Sequence, residues 1–149
     1  MIDIEIPKLI DGGKVFDDRG SLSFFNDASF INLKRFYIVE NHSSKFIRAW
    51  HGHKKEEKFV FVVSGAAKIA SVKVDNWDSP SRDLEINSYI LTDEKPNLLW
   101  IPKGYANGCM TLKANTKVIY FSSSSLDESL NDDYRFDSKY WNCWDIKER

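Results

Sequence analysis

The strongest constraint on the fold is a chain-long succession of short runs rich in Val, Ile, Phe and Tyr, separated by turn residues, with little helical period between them. Such runs suit a pleated, half-buried surface, and they predict strands over residues 22–26, 34–41, 46–53, 58–64, 66–75, 88–91, 97–101 and 117–123. Ser64-Gly65 lies between two strong runs and signals a hairpin. Pro102-Lys103-Gly104 reads as a turn in which proline presets φ. One helical turn is predicted over 125–130, where Ser125 is followed three residues later by Glu128, the capping-box spacing. Many short strands spaced roughly 8–12 residues apart imply an all-β sandwich or barrel. A double-sheet jelly roll is the specific expectation, and its interior can hold a small ligand when one mouth stays open. At 149 residues and 42% hydrophobic content, the chain fits one domain over 1–149.

Composition removes several function classes. A net charge of -1 leaves no basic footprint for nucleic acid or an anionic membrane, so any anion site must be local. No apolar stretch approaches the roughly 20 residues that span a bilayer. The start, Met1-Ile2-Asp3-Ile4-Glu5-Ile6, alternates apolar and acidic residues and lacks the pattern of a signal peptide, which predicts a cytoplasmic protein. Cys109 and Cys143 form no CxxC pair and are expected as reduced, buried thiols.

The chemistry concentrates in Arg48-Ala49-Trp50-His51-Gly52-His53-Lys54. Along a strand, side chains alternate faces with a period of two. His51 and His53 therefore point the same way, with Arg48 opposite unless a bulge intervenes. Two imidazoles in one cavity either hold a metal or move protons. His51-x-His53 with Glu57 beyond it resembles half of a cupin metal motif, whose second half ends in P-x-G-x-x-H. Here that half reads Pro102-x-Gly104-x-x-Asn107, and an amide is a poor ligand for the metals that imidazole suits. The pattern favours proton transfer, with no metal and no cofactor.

Arg19, Arg48 and Lys58, if they meet in one cavity, suit a diphosphate, which Arg grips bidentately. The chain has no Walker A or GxGxxG sequence, so a nucleotide would be held by side chains. Tyr105, Tyr134, Tyr140, Trp77, Trp141 and Trp144 are candidates to stack on a base or sugar, although most are expected in the core or a dimer contact. Residues 131–137 mix charges and aromatics and are expected as an ordered loop across the barrel mouth.

These motifs together resemble the cupins related to dTDP-4-dehydrorhamnose 3,5-epimerase. Asp18-Arg19-Gly20 is similar to the family's D-x-R-G region. Asn41-x-Ser43-Ser44 and Arg48-Ala49-Trp50-His51 resemble its N-x-S and R-G-x-H signatures. Val74-Asp75 followed by Ser79-Pro80-Ser81 resembles its post-hairpin segment, and Ile101-Pro102-Lys103-Gly104-Tyr105-Ala106-Asn107-Gly108 its P-x-G-F-A-H-G turn. The resemblance implies a jelly-roll (double-stranded β-helix) cupin in which His51 removes a proton beside a keto carbon. Lys58 would face the developing enolate oxygen. Arg19 and Arg48 would bind the diphosphate, Arg19 from a neighbouring subunit, with Asn41, Tyr105 and Asn107 among the substrate contacts. A C–H beside a ketone yields its proton only if the enolate is stabilised, and an imidazole near pKa 6.5 suits the base.

Two departures from the family shape the functional expectation. The place of its reprotonating tyrosine reads Ser122-Ser123-Ser124-Ser125-Leu126, which leaves Tyr134 or Tyr140 as substitutes, and its tail Asp that pairs with the catalytic His has no match. His51-x-His53-Lys54 instead resembles the H-x-H-K of the related sugar-nucleotide 3,4-ketoisomerases, in which two histidines shuttle protons. The expectation is thus a homodimeric sugar-nucleotide epimerase of deoxysugar or surface-polysaccharide biosynthesis, with His53 as second proton carrier. A 3,4-ketoisomerase is the alternative. A metal-dependent oxygenase using His51, His53 and Glu57, or a binding module without activity, is more distant.

Overall fold

A computed structural model describes residues 5–30 and 32–149. Its strands are β1 (Lys8–Asp11), β2 (Gly13–Asp17), β3 (Gly20–Phe24), β4 (Arg35–Glu40), β5 (Ile47–His53), β6 (Lys58–Ser64), β7 (Ala66–Lys73), β8 (Ile86–Thr92), β9 (Asn97–Ile101), β10 (Tyr105–Thr111), β11 (Lys117–Ser122) and β12 (Tyr134–Arg135), with one helix, α1 (Leu126–Leu130). Sheet one has the order β1-β9-β6-β11-β4 and sheet two the order β12-β5-β10-β7-β8, every pairing antiparallel. β2 and β3 form a separate hairpin. This is the expected jelly roll. No helix among the described residues is long and apolar enough to cross a membrane.

The predicted Ser64-Gly65 hairpin joins β6 to β7. Gly65 has φ +87°, and a β-carbon there would lie 2.9 Å from the Thr116 Cα, so only glycine fits. Ser125 caps α1 through both halves of the capping box. Sequence reading missed β1 and β2, and it also missed β10, whose seven residues are all buried. Tyr-Ala-Asn-Gly-Cys-Met-Thr lacks the alternation of a half-buried strand because β10 is covered on both faces. Residues 131–137 are not a plain loop, since Tyr134 and Arg135 pair with β5.

Two cores result. Val60, Val62, Ile69, Leu99, Val118 and Tyr120 fill the space between the sheets. On the outer face of sheet two, Trp50, Val72, Ala106 and Met110 are covered by Trp141 and Trp144 of the C-terminal segment. At about 25 cal/mol per Å2 of apolar surface removed from water, each fully buried Trp is among the largest single contributions to the fold.

Candidate active site

β5 organises the site through an irregularity. Residue pairing with β10 runs His53 to Tyr105, Gly52 to Ala106 and His51 to Asn107, then jumps to Arg48 opposite Cys109. Ala49 and Trp50 therefore face the single residue Gly108, a bulge that inverts the side-chain alternation. A β-carbon on Gly108 would lie 2.6 Å from that of Ala49. The outcome is that Arg48, His51 and His53 all line one cavity of about 370 Å3, while Trp50 turns to the opposite core.

The cavity has two walls. Sheet two supplies Arg48, His51, His53, Asn107 and Arg135, and sheet one supplies Arg35, Tyr37, Lys58 and Tyr120. α1 and Asp133 form part of the rim. Arg48 donates through Nε to the Asn41 Oδ1 at 2.6 Å, and Asn41 Nδ2 donates to Thr111 Oγ1 at 3.2 Å. Asn41 thus aims Arg48 and does not itself line the cavity. Asn107 is buried and donates to the His51 carbonyl at 3.3 Å.

Burial, Arg135 and Lys58 push the His51 imidazole down to about 4, with Asp133 partly opposing them. At neutral pH this ring is uncharged and holds a lone pair able to accept a proton. Facing it from sheet one, Tyr37 and Tyr120 stack with ring centroids 5.2 Å apart. Burial keeps the Tyr120 phenol protonated well above its ordinary range. The Lys58 ammonium lies 5.8 Å from the Tyr37 ring centroid and 5.7 Å from that of Tyr120.

His53 corrects an expectation. Its Nδ1 donates to the Asp132 carbonyl at 2.6 Å, and its Nε2 lies 3.0 Å from Glu56 Oε2. Both ring nitrogens are engaged inside the protein, so neither is free to serve as second proton carrier. Burial, then Lys58, lower its pKa, while Glu56 and Asp132 oppose.

Two predicted contacts lie elsewhere. Arg19 sits at the tip of the β2–β3 hairpin, its side chain 86% exposed and paired with Asp17 at 2.5 Å, because that hairpin stands apart from both sheets. Tyr105 points to the interior but reaches away from the histidines, its hydroxyl donating to the Glu5 carbonyl at 3.2 Å, and it lines a different cavity. Tyr134 and Tyr140 are not at the site either. Tyr134 packs on Trp77, and the Tyr140 hydroxyl donates to the Pro80 carbonyl at 2.5 Å. Glu57 does not line the cavity, and no group of three or more His, Cys, Asp or Glu among the described residues is arranged to hold a metal ion. Both cysteines are free, Cys109 buried and Cys143 half-buried.

Sequence reasoning missed Arg35, Tyr37, Glu56, Tyr120 and Arg135. β4 reads Arg-Phe-Tyr-Ile-Val-Glu, apolar at both parities between its charged ends, so only the fold shows that Arg35, Tyr37 and Val39 turn inward while Phe36 and Ile38 stay exposed. Glu56 gave no signal, since it stands in the charged run Lys54-Lys55-Glu56-Glu57-Lys58, which reads as solvated.

Comparison with known proteins adds the following. Residues 3–143 match the family model of dTDP-4-dehydrorhamnose 3,5-epimerase. The spore coat polysaccharide biosynthesis protein SpsL of Bacillus subtilis (strain 168) is 30% identical over 122 residues, which covers 81% of this chain and 74% of SpsL. Among solved structures, the Mycobacterium tuberculosis rmlC epimerase superposes with a TM-score of 0.76 at 19% identity, covering 97% of this chain and 76% of its own. The WlaRB TDP-quinovose 3,4-ketoisomerase of Campylobacter jejuni superposes with a TM-score of 0.68 at 21% identity, covering 92% and 98%. At these identities the structural likeness is one of fold.

Proposed function

The chain belongs to the dTDP-4-dehydrorhamnose 3,5-epimerase family, and from that premise we propose that it epimerises a nucleotide-linked 4-keto-6-deoxyhexose, with His51 as the base. The observation that carries this reading is the pairing of unlike groups across one cavity, a neutral imidazole on sheet two and, on sheet one, the protonated Tyr120 phenol stacked on Tyr37. Epimerisation removes a proton from one face of the sugar and returns one to the other, which needs this opposition. His51 takes the hydrogen beside the ketone, and the C–H electron pair moves onto the carbonyl oxygen as an enolate. Lys58 supplies positive charge against that oxygen. A proton from the Tyr37–Tyr120 side then re-forms the C–H bond with inverted configuration, and solvent exchange resets both groups. No electrons are gained or lost.

The diphosphate is assigned to Arg48, braced by Asn41, with Arg35 and Arg135 as further cations on the cavity wall. Ketoisomerisation ranks second because a two-histidine shuttle requires a free nitrogen on His53. A sugar nucleotide as substrate and two free thiols support a cytoplasmic location. The exposed apolar face of sheet one supports a homodimer, to which the Arg19 hairpin would contribute.

Incubation with dTDP-4-keto-6-deoxyglucose in D2O tests the reading. Solvent deuterium at C3 or C5 with the 4-ketone retained is the expected result. A 3-keto product would assign ketoisomerisation instead. No exchange after prolonged incubation, with binding retained, would leave a binding module.

A further inference from the structure

Glu56 is the most enclosed carboxylate of the cavity region, its side chain 0% exposed. Its Oε1 accepts from the Ser122 hydroxyl and lies 3.4 Å from Arg35 Nη2. Its Oε2 lies 3.0 Å from His53 Nε2 and 3.7 Å from the Lys58 ammonium. The His53 ring orientation is fixed from the other side, because the Asp132 carbonyl at 2.6 Å only accepts and therefore requires a hydrogen on Nδ1. A neutral imidazole with that hydrogen presents a lone pair at Nε2, and a carboxylate oxygen presents nothing but lone pairs. Two acceptors buried at 3.0 Å without a proton would leave both unsatisfied, at a cost of about 1–3 kcal/mol or more. His53 Nε2 and Glu56 Oε2 are indeed both buried, and neither has any other hydrogen-bond partner.

We propose that Glu56 and His53 hold one proton between them, and that this pair makes Glu56 the positioning residue for Lys58. Resting on the epimerase reading above, the inference concerns the charge state of its electrophile. With the proton in place the pair is neutral overall, as imidazolium–carboxylate or imidazole–carboxylic acid. The Lys58 ammonium then keeps its full charge toward the cavity while its position is held by Oε2. Loss of that proton leaves a net negative pair 3.7 Å from the ammonium, which cancels the field on the enolate oxygen. The titratable and charged groups facing the pair are Lys58, Arg35, His51 and Asp132, whose carboxylate accepts from the Glu56 N–H, with Tyr37 and Tyr120 beyond Lys58.

The first test is 15N NMR of histidine-labelled protein, with signals assigned through His42→Asn and His51→Asn. A slowly exchanging Nε2-side proton on His53 is expected in the wild type and is expected to vanish or shift in Glu56→Gln, whose amide replaces the carboxylate. An Nε2 without any shared proton in the wild type overturns the proposal, whether or not the variant folds. The second test is the pH profile of kcat for Glu56→Gln. The basic limb should move by at least one pH unit, with KM changed less than threefold. An unmoved profile also overturns the proposal. The NMR result needs no substrate, so failure of the epimerase reading is distinguishable from failure of the pair.

Discussion

His51 is held neutral by burial and by the cations around it, and that has a measurable sign. Its folded pKa lies near 4 against an ordinary 6.5, so between those values the unfolded chain binds a proton that the folded chain refuses. Stability therefore falls as pH drops from 6.5 toward 4 and is unaffected by this group above 6.5. Urea midpoints measured at pH 7 and pH 5 should separate more for the wild type than for His51→Asn, which has nothing to titrate. On the proposed mechanism, turnover follows the same group. Proton exchange at the substrate carbon should be flat from pH 8 to 6, where a solvated imidazole of pKa 6.5 would have lost about three quarters of its base, and His51→Asn should slow it by about 10²–10⁴-fold. An exchange rate that halves near pH 6.5 would mean that His51 is not the base, or is not buried.

At the scale of elements, the turn between β5 and β6 depends on Asp132. Its carboxylate accepts from the backbone N–H groups of Lys54, Lys55 and Glu56 at 2.8, 2.8 and 3.1 Å, while its carbonyl anchors His53. Successive N–H groups converging on one anion make a nest, and these are charge-assisted hydrogen bonds. Asp132→Asn removes the charge and one acceptor oxygen, leaving at least one of these three donors without its partner. A loss of about 2–3 kcal/mol in chemical denaturation is expected, together with a lower kcat, because Glu56 and Lys58 follow directly on this turn. Unchanged stability would mean that water replaces the carboxylate at no cost.

For the whole molecule, the two sheets are treated unequally. The outer face of sheet two is covered by the chain's own C-terminal segment. Across the outer face of sheet one run two apolar rows, Phe36–Phe121–Phe59–Trp100 and Ile38–Ile119–Phe61–Leu98, matched strand by strand. Phe25 and Phe30 cover part of these rows, yet Phe36 and Ile38 remain 60% and 57% exposed. The hairpin adds Val15, Phe16 and Leu22, also exposed. An exposed apolar face of this kind is what the proposed homodimer would bury. Sedimentation velocity should give twice the 17.3 kDa chain mass for the wild type. The double substitution Phe36→Lys and Ile38→Lys should yield monomer with unchanged secondary structure. A wild-type monomer at micromolar concentration would refute the dimer.

The sequence by itself determined the class of fold and the shared orientation of His51 and His53. Both are local properties, since period-two runs, turn residues and an H-x-H spacing follow from the bonded geometry of a few neighbouring residues. It also implied that Arg48 joins the histidines if a bulge intervenes, but whether β5 bulges is decided by its pairing with Gly108 of β10. β10 escaped notice because a strand covered on both faces has no polar alternation to read. Only the tertiary structure sent Arg19 and Tyr105 away from the cavity, brought Tyr37 and Tyr120 opposite His51, and placed Glu56 beside His53 and Lys58. The physical reason is that a charge or phenol takes its function from what surrounds it across the sheet gap, and those neighbours are distant in sequence.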